Sequence, residues 1–205
     1  MECHSILLIN LPNHRPTALS VKTMSYFNHP LLKIPLLFGL AAGLAVFLYF
    51  LGMHALGISA LYVSEKYPFD FGIHLILMIA AVWYYRRKVG KGLLHMWEGL
   101  TVCYIVNTVG ALLAGWLIYG FVTLIDPTEF TRYISDLQRF QISDKANYVK
   151  TFGEEAFKAQ LAQTAKTTPD VLPLSMLGKK TLLGILPILI ISLLFRKQDY
   201  SIMNP

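Results

Sequence analysis

The sequence predicts an all-α integral membrane protein, a four-helix bundle with an amphipathic helical hairpin between the third and fourth spans. Hydrophobic residues make up 55% of its 205 positions, and the mean hydropathy is +0.50; both values are high for a soluble domain. Long stretches without charge alternate with short charged segments. The clearest stretch covers residues 99–125, and a helix needs only ~20 apolar residues to cross a bilayer.

The charge and the cysteines exclude several classes of protein. The net charge of +6 does not indicate nucleic acid as a partner, because the basic residues adjoin apolar spans, where the positive-inside rule places them. No basic face carries the interleaved aromatics of a nucleic-acid groove. Cys3 and Cys103 lie far apart in the chain, so neither a disulfide framework nor a zinc site is indicated. We therefore expect no metal and no cofactor.

The N-terminal segment, residues 1–33, is predicted to be a cytoplasmic tail. Its apolar run at residues 6–11 is too short for a secretory signal, and no small-residue cleavage site follows it. One hypothesis is that translation starts at Met24, which would make residues 1–23 an upstream extension. A disordered tail is an equal alternative.

Residues 34–125 are predicted to contain the first three spans. The first lies within residues 34–64, the second covers residues 71–85 between aromatic ends, and the third covers residues 99–125. Small residues let membrane helices approach closely. Packing within the chain is the preferred interpretation of these small residues, and homodimerisation is the alternative. The predicted packing positions are Gly39, Gly43, Gly110 and Ala114.

Residues 126–173 are predicted to form an extracytoplasmic amphipathic helical region. Asp126, Pro127 and Glu129 match the cap, first and third positions of a helix. The apolar residues that follow have helical spacing, and Ser143 is predicted to begin a second helix. The fourth span covers residues 174–197, with Lys179 and Lys180 reaching outward to the headgroups. Residues 198–205 form a C-terminal tail.

The basic loop after the second span sets the predicted topology. Short loops rich in Lys and Arg stay in the cytoplasm. We therefore expect both termini inside and residues 126–178 outside. The residues that fix this orientation are Arg86, Arg87, Lys88 and Lys91.

Several of these motifs together resemble the bacterial domain of unknown function 4199 family. They are the Asn28–Lys33 segment before the Gly39-x-x-x-Gly43 helix, the basic loop at residues 84–88, and the Ile125–Phe130 junction after the third helix. The resemblance covers about residues 28–197. It implies a four-span protein of the bacterial cytoplasmic (inner) membrane with no established activity, and it supplies no catalytic residues.

The motifs of common enzymes are absent from the sequence, so a non-enzymatic protein is expected. The preferred interpretation is a structural or interaction component of the cytoplasmic membrane. Its expected partners are the lipid bilayer, a membrane or extracytoplasmic protein, and a second copy of the chain. The alternative is a small transporter or a proton- or ion-sensing membrane protein.

Two histidines are the candidate proton-sensing residues. His54 falls in the outer half of the first span, and His74 begins the second. Histidine changes charge near neutral pH, so a pair at one interface can sense or relay protons. The alternative is that each imidazole hydrogen-bonds a neighbouring helix and only holds the packing.

Overall fold

The computed structural model describes residues 29–62 and 69–197. Of these residues, 87% are helical, and none of them belongs to a β-strand. Residues 1–28, 63–68 and 198–205 lie outside the described residues, and so does the Met24 hypothesis. The helices are α1 (Pro30–Ala55), α2 (Phe69–Lys88), α3 (Met96–Leu124), α4 (Pro127–Ser143), α5 (Lys145–Phe152), α6 (Glu154–Ala165) and α7 (Leu172–Phe195), with a 3-10 turn at Pro169–Val171.

Within residues 29–62 and 69–197, three helical segments are long and apolar enough to cross a membrane. They are Pro30–Ala55, Met96–Leu124 and Pro169–Phe195, the last joining the 3-10 turn to α7. Helix α2 has 20 residues, but Asp70 lies in its first turn and three basic residues lie in its last turn. The chain therefore has the apolar helices of a membrane protein, and α2 is the segment whose crossing is not established by composition.

Helix α3 lies at the centre of the long helices, with α1 and α7 packed against it, while α2 contacts all three. The α1–α3 contact is close because glycine faces it. A Cβ added to Gly39 would lie 2.8 Å from the Cβ of Val109, and one added to Gly43 would lie 2.7 Å from the Cβ of Leu113. Carbon atoms pack at about 3.5–4.0 Å, so α3 occupies the space where a larger side chain would stand.

The ends of α2 and α7 meet at one side of the molecule. Leu94 and Lys197 exchange backbone hydrogen bonds of 2.9 and 3.1 Å. Arg86 strengthens this junction, since its Nε donates to the Gly92 carbonyl at 2.9 Å and its Nη1 to the Phe195 carbonyl at 3.5 Å. Three of the four residues of the predicted basic loop, Arg86, Arg87 and Lys88, thus form the last turn of α2, and this end of the helix lies beside the chain that leaves α7.

The region between α3 and α7 contains three helices, whereas the sequence predicted two. The predicted second helix is divided at Gly153, whose φ of 87° separates α5 from α6. Glycine adopts this backbone conformation without the steric cost that other residues have. Helix α4 contacts both α3 and α6, so it connects this region to the long helices.

Candidate functional site: two polar clusters

The first cluster centres on an ion pair buried between α2 and α7. Lys180 Nζ lies 2.5 Å from Asp70 Oδ2, and the two residues are only 4% and 3% exposed. The prediction that Lys180 reaches the headgroups is therefore wrong. Its side chain turns inward because Asp70 supplies the opposite charge, without which a buried ammonium is costly. Charged groups inside membrane helices are functional candidates for the same reason.

His74 and Asn107 extend this cluster into the interior. Both side chains are fully buried. Asn107 Nδ2 donates to the Lys180 carbonyl at 3.0 Å, which links α3 to α7 beside the ion pair. His74 lies one turn along α2 from Asp70, and neither of its ring nitrogens has a hydrogen-bond partner among the described residues.

Gly110 makes room for the His74 ring. A Cβ at Gly110 would lie 2.8 Å from His74 Cε1 and 3.0 Å from Ala42 Cβ, so the imidazole rests on bare backbone of α3. On its other side the ring stacks near Phe71, with the ring centroids 6.4 Å apart. The sequence predicted Gly110 as a packing position, and the structure places it against the candidate histidine. Ala114, one turn further along this helix, is also fully buried.

A cavity of about 320 Å³ adjoins the Asp70–Lys180 pair. Its volume falls at the lower end of the range for small-molecule sites. The lining combines polar and apolar side chains: Leu61, Asp70, Phe71, Tyr133, Leu172, Ser175, Met176, Lys179, Lys180, Leu182 and Leu183.

The second cluster surrounds His54, where α1 meets the start of α4. His54 Nδ1 lies 3.5 Å from Glu129 Oε2, and Nε2 lies 3.6 Å from Asp126 Oδ2. Glu129 is fully buried, and Arg132 Nη1 approaches the same carboxylate at 3.4 Å. The imidazole also contacts the Phe121 ring edge-on, with centroids 5.0 Å apart. Both ring nitrogens thus face carboxylates.

Asp126 has a second role as the cap of α4. Its carboxylate accepts hydrogen bonds from the Thr128 backbone amide at 3.0 Å and from the Thr128 hydroxyl at 2.5 Å. The hydroxyl contact has the largest effect in lowering the pKa of this carboxyl, and the amide, His54 and Arg132 lower it further. Each of these groups favours the charged form of the carboxylate, by hydrogen bonding or by opposite charge.

The structure thus distributes the two predicted histidines over different clusters. His54 faces Asp126 and Glu129, whereas His74 lies beside the Asp70–Lys180 pair. Sequence reasoning missed Asp70 and Lys180 as site residues. One signal was available, since Asp70 precedes His74 by one helical turn and so shares its face. The sequence contains no comparable signal that pairs Lys180 with a residue so far away.

Two other residues, near the two ends of the segment between α2 and α3, have simpler surroundings. Glu98 accepts a hydrogen bond from the His95 amide at 2.8 Å, which completes a capping box at the start of α3. Lys91 has a positive φ of 48° in the turn after α2. Within residues 29–62 and 69–197 no group of three His, Cys, Asp or Glu side chains is arranged to hold a metal ion.

Comparison with known proteins identifies the family. No curated protein and no solved structure matches the chain. The family described as "Protein of unknown function (DUF4199)" matches residues 37–197. The match contains both polar clusters, the basic loop and the junction at Ile125–Phe130, and it begins after the Asn28–Lys33 segment. Because it spans well over half of the sequence, the chain belongs to this family of proteins of unknown function.

Proposed function

We propose that this chain is a non-enzymatic, four-span component of the bacterial cytoplasmic membrane that presents its helical region, residues 126–173, to a protein partner outside. The uneven burial of α4 and α5 carries this proposal. Phe130 and Tyr133 at the start of α4 are only 7% and 9% exposed, whereas Phe140, Ile142 and Phe152 are 46%, 56% and 65% exposed. One end is docked, and the other offers apolar surface of the kind that marks interaction sites.

The proposed topology has both termini inside. The basic loop and the end of α7 lie side by side, as two cytoplasmic segments should, and short basic loops are retained inside. The test is labelling of an Asp136→Cys variant in intact spheroplasts by a reagent that cannot cross the membrane. We expect labelling without lysis, while a cysteine at Lys88 should require lysis. The reverse pattern would mean that the orientation is inverted.

The partner surface can be tested by photo-crosslinking in native membranes. A photoreactive phenylalanine analogue at Phe152 should form a protein adduct, because this side chain is 65% exposed. The matched control is the same analogue at Gln163, an exposed polar position on α6. An adduct with lipid alone would indicate that the outer leaflet covers this surface, and equal protein adducts at both positions would refute a specific partner surface.

A second candidate function, proton sensing, is favoured by the position of His54 between two carboxylates. A neutral imidazole has one donor and one acceptor nitrogen, and an ionised carboxylate only accepts. The imidazolium alone satisfies Glu129 and Asp126 together, and Arg132 is the other charged side chain close to this pair among the described residues. A proton on His54 would therefore hold α4 against α1. Raising the pH would remove the proton and weaken the docking.

Hydrogen exchange of α4 tests this candidate directly. After correction for the intrinsic pH dependence of exchange, protection of α4 should fall as the pH rises, because a neutral imidazole cannot donate to both carboxylates. His54→Gln keeps a hydrogen-bond donor but cannot carry a charge, so it should abolish this dependence. His74→Gln is the matched control, since His74 lies in the other cluster, beside the Asp70–Lys180 pair. A pH dependence that survives in His54→Gln would eliminate His54 as the sensor.

A further inference from the structure

The cavity beside the Asp70–Lys180 pair is an elongated groove along one face of α7. Its α7 residues run from Leu172 to Leu183, a distance of roughly 16 Å at the rise of an α-helix. The first part of this face combines the apolar Leu172 and Met176 with Ser175, Lys179 and Lys180, whereas Leu182 and Leu183 form the last part. All polar side chains that α7 contributes to the groove therefore lie in its first part, and the last part is apolar.

The apolar end of the groove is open at the surface of the helix. Leu182 is 73% exposed and Leu183 is 44% exposed, and α7 lies in one of the segments apolar enough to cross a membrane. Side chains exposed on such a helix face acyl chains. A ligand with a chain can thus enter from the bilayer while its polar head reaches the other end.

The polar end is lined by two ammonium groups and one carboxylate. Lys180 is paired with Asp70, and the exposed Lys179 adds a second ammonium to the lining. An ammonium has three donors, so Lys179 can bind an anionic head in addition to its other contacts. The Ser175 hydroxyl lies in the same lining, but it donates its one proton to the Leu172 carbonyl at 3.1 Å, so the lysine ammonium groups supply the donors for an anionic head.

We propose that this groove binds an amphiphile with a single anionic head and an apolar chain, from the leaflet in which Lys179 lies. The head is held by Lys179 over the Asp70–Lys180 pair, and the chain lies along Leu182 and Leu183. Basic pockets between membrane helices bind anionic lipid heads by the same chemistry. The inference requires α7 to lie in the membrane, but it is independent of the protein partner and of the His54 cluster.

The test is native mass spectrometry of the full-length protein in a neutral detergent, with palmitate as the probe. Hexadecanol has the same chain without the charge, and inorganic phosphate has the charge without the chain. We expect palmitate adducts at tenfold lower concentration than hexadecanol adducts, and no specific phosphate adduct. Lys179→Gln should weaken palmitate binding about tenfold, a typical consequence of losing ~1.4 kcal/mol of charge-assisted binding.

Two further variants keep the result interpretable. Ser175→Trp fills the groove without changing its charge and should also reduce palmitate binding, while Lys166→Gln removes an exposed lysine at the end of α6 and should not. Elution volume and circular dichroism confirm that each variant is folded. Equal binding of hexadecanol and palmitate, or unchanged binding in both groove variants, would overturn the proposal. Phosphate binding without palmitate binding would also overturn it, by indicating a site for free anions.

Discussion

The two polar clusters use similar residues in different surroundings. In the interior, Asp70 and Lys180 are 2.5 Å apart, and both side chains are about 95% buried. At the α1–α4 junction, Glu129 is fully buried, but its partner His54 is 28% exposed and 3.5 Å away. The interior pair joins two long helices, whereas the junction joins a long helix to the region outside them. The molecule therefore has one acid–base contact in its interior, between α2 and α7, and one at the edge of the interior, between α1 and α4.

The difference in burial gives the two clusters different properties: the interior pair affects stability, and the junction can respond to pH. Removing one member of a buried ion pair leaves a charge that neither water nor a partner compensates, so such pairs are costly to break. A partly exposed histidine can exchange its proton with water and can lose its charge near neutral pH. The interior pair is thus suited to holding α2 and α7 together, and the junction is suited to responding to its surroundings.

The largest expected effect comes from breaking the interior pair one residue at a time. Asp70→Leu or Lys180→Met alone should lower the free energy of unfolding by about 3–5 kcal/mol, because the remaining charge stays buried without its partner. The double variant should recover most of this loss, since two apolar side chains of similar volume replace the pair. Equilibrium unfolding in detergent, followed by circular dichroism, measures all three variants.

A surface pair provides the control for this comparison. Lys145 and Glu154 are 2.9 Å apart, but their side chains are 46% and 47% exposed, so Lys145→Met should leave stability close to that of the wild type. Single interior variants that also resemble the wild type would mean that water reaches the Asp70–Lys180 pair. The contrast between the interior and the edge would then fail.

Gly110 offers a smaller and sharper test of the interior cluster. Gly110→Ala adds a methyl group 2.8 Å from His74 Cε1, and overpacking of this kind typically costs about 1–3 kcal/mol. Gly120→Ala is the matched control on the same helix, because no atom lies within 4 Å of its added Cβ. We expect destabilisation in Gly110→Ala only. Equal stability of the two variants would show that the His74 ring moves freely.

The sequence predicted the parts of this molecule that depend on local pattern. Charge-free length located the apolar helices, and the Asp126–Pro127 junction located the start of α4. The division at Gly153 was missed because glycine is compatible with both a helix interior and a break. The Asp70–Lys180 pair was missed for another reason. Lysines near a helix end usually reach outward, and only the packing of α2 against α7 shows that Lys180 turns inward.

The smallest expected effect is at Asp126. Its contribution to the docking of α4 should depend on pH in the opposite direction to that of His54. Asp126→Ala removes the cap of α4 and one of the two carboxylates facing His54, so protection of α4 from hydrogen exchange should fall while the long helices stay unchanged. Hydrogen bonds and positive charges lower the pKa of Asp126. Its contribution to the docking of α4 is therefore fully present at any pH above the ordinary pKa range of aspartate. It is lost as the pH falls through the lowered pKa.

The His54 contact is instead weakened as the pH rises. Docking of α4 in the wild type should thus decrease at both pH extremes, and Asp126→Ala should remove the acid-side decrease due to this cap. If that variant retains the wild-type acid profile, another carboxyl controls the acid-side loss of α4 docking.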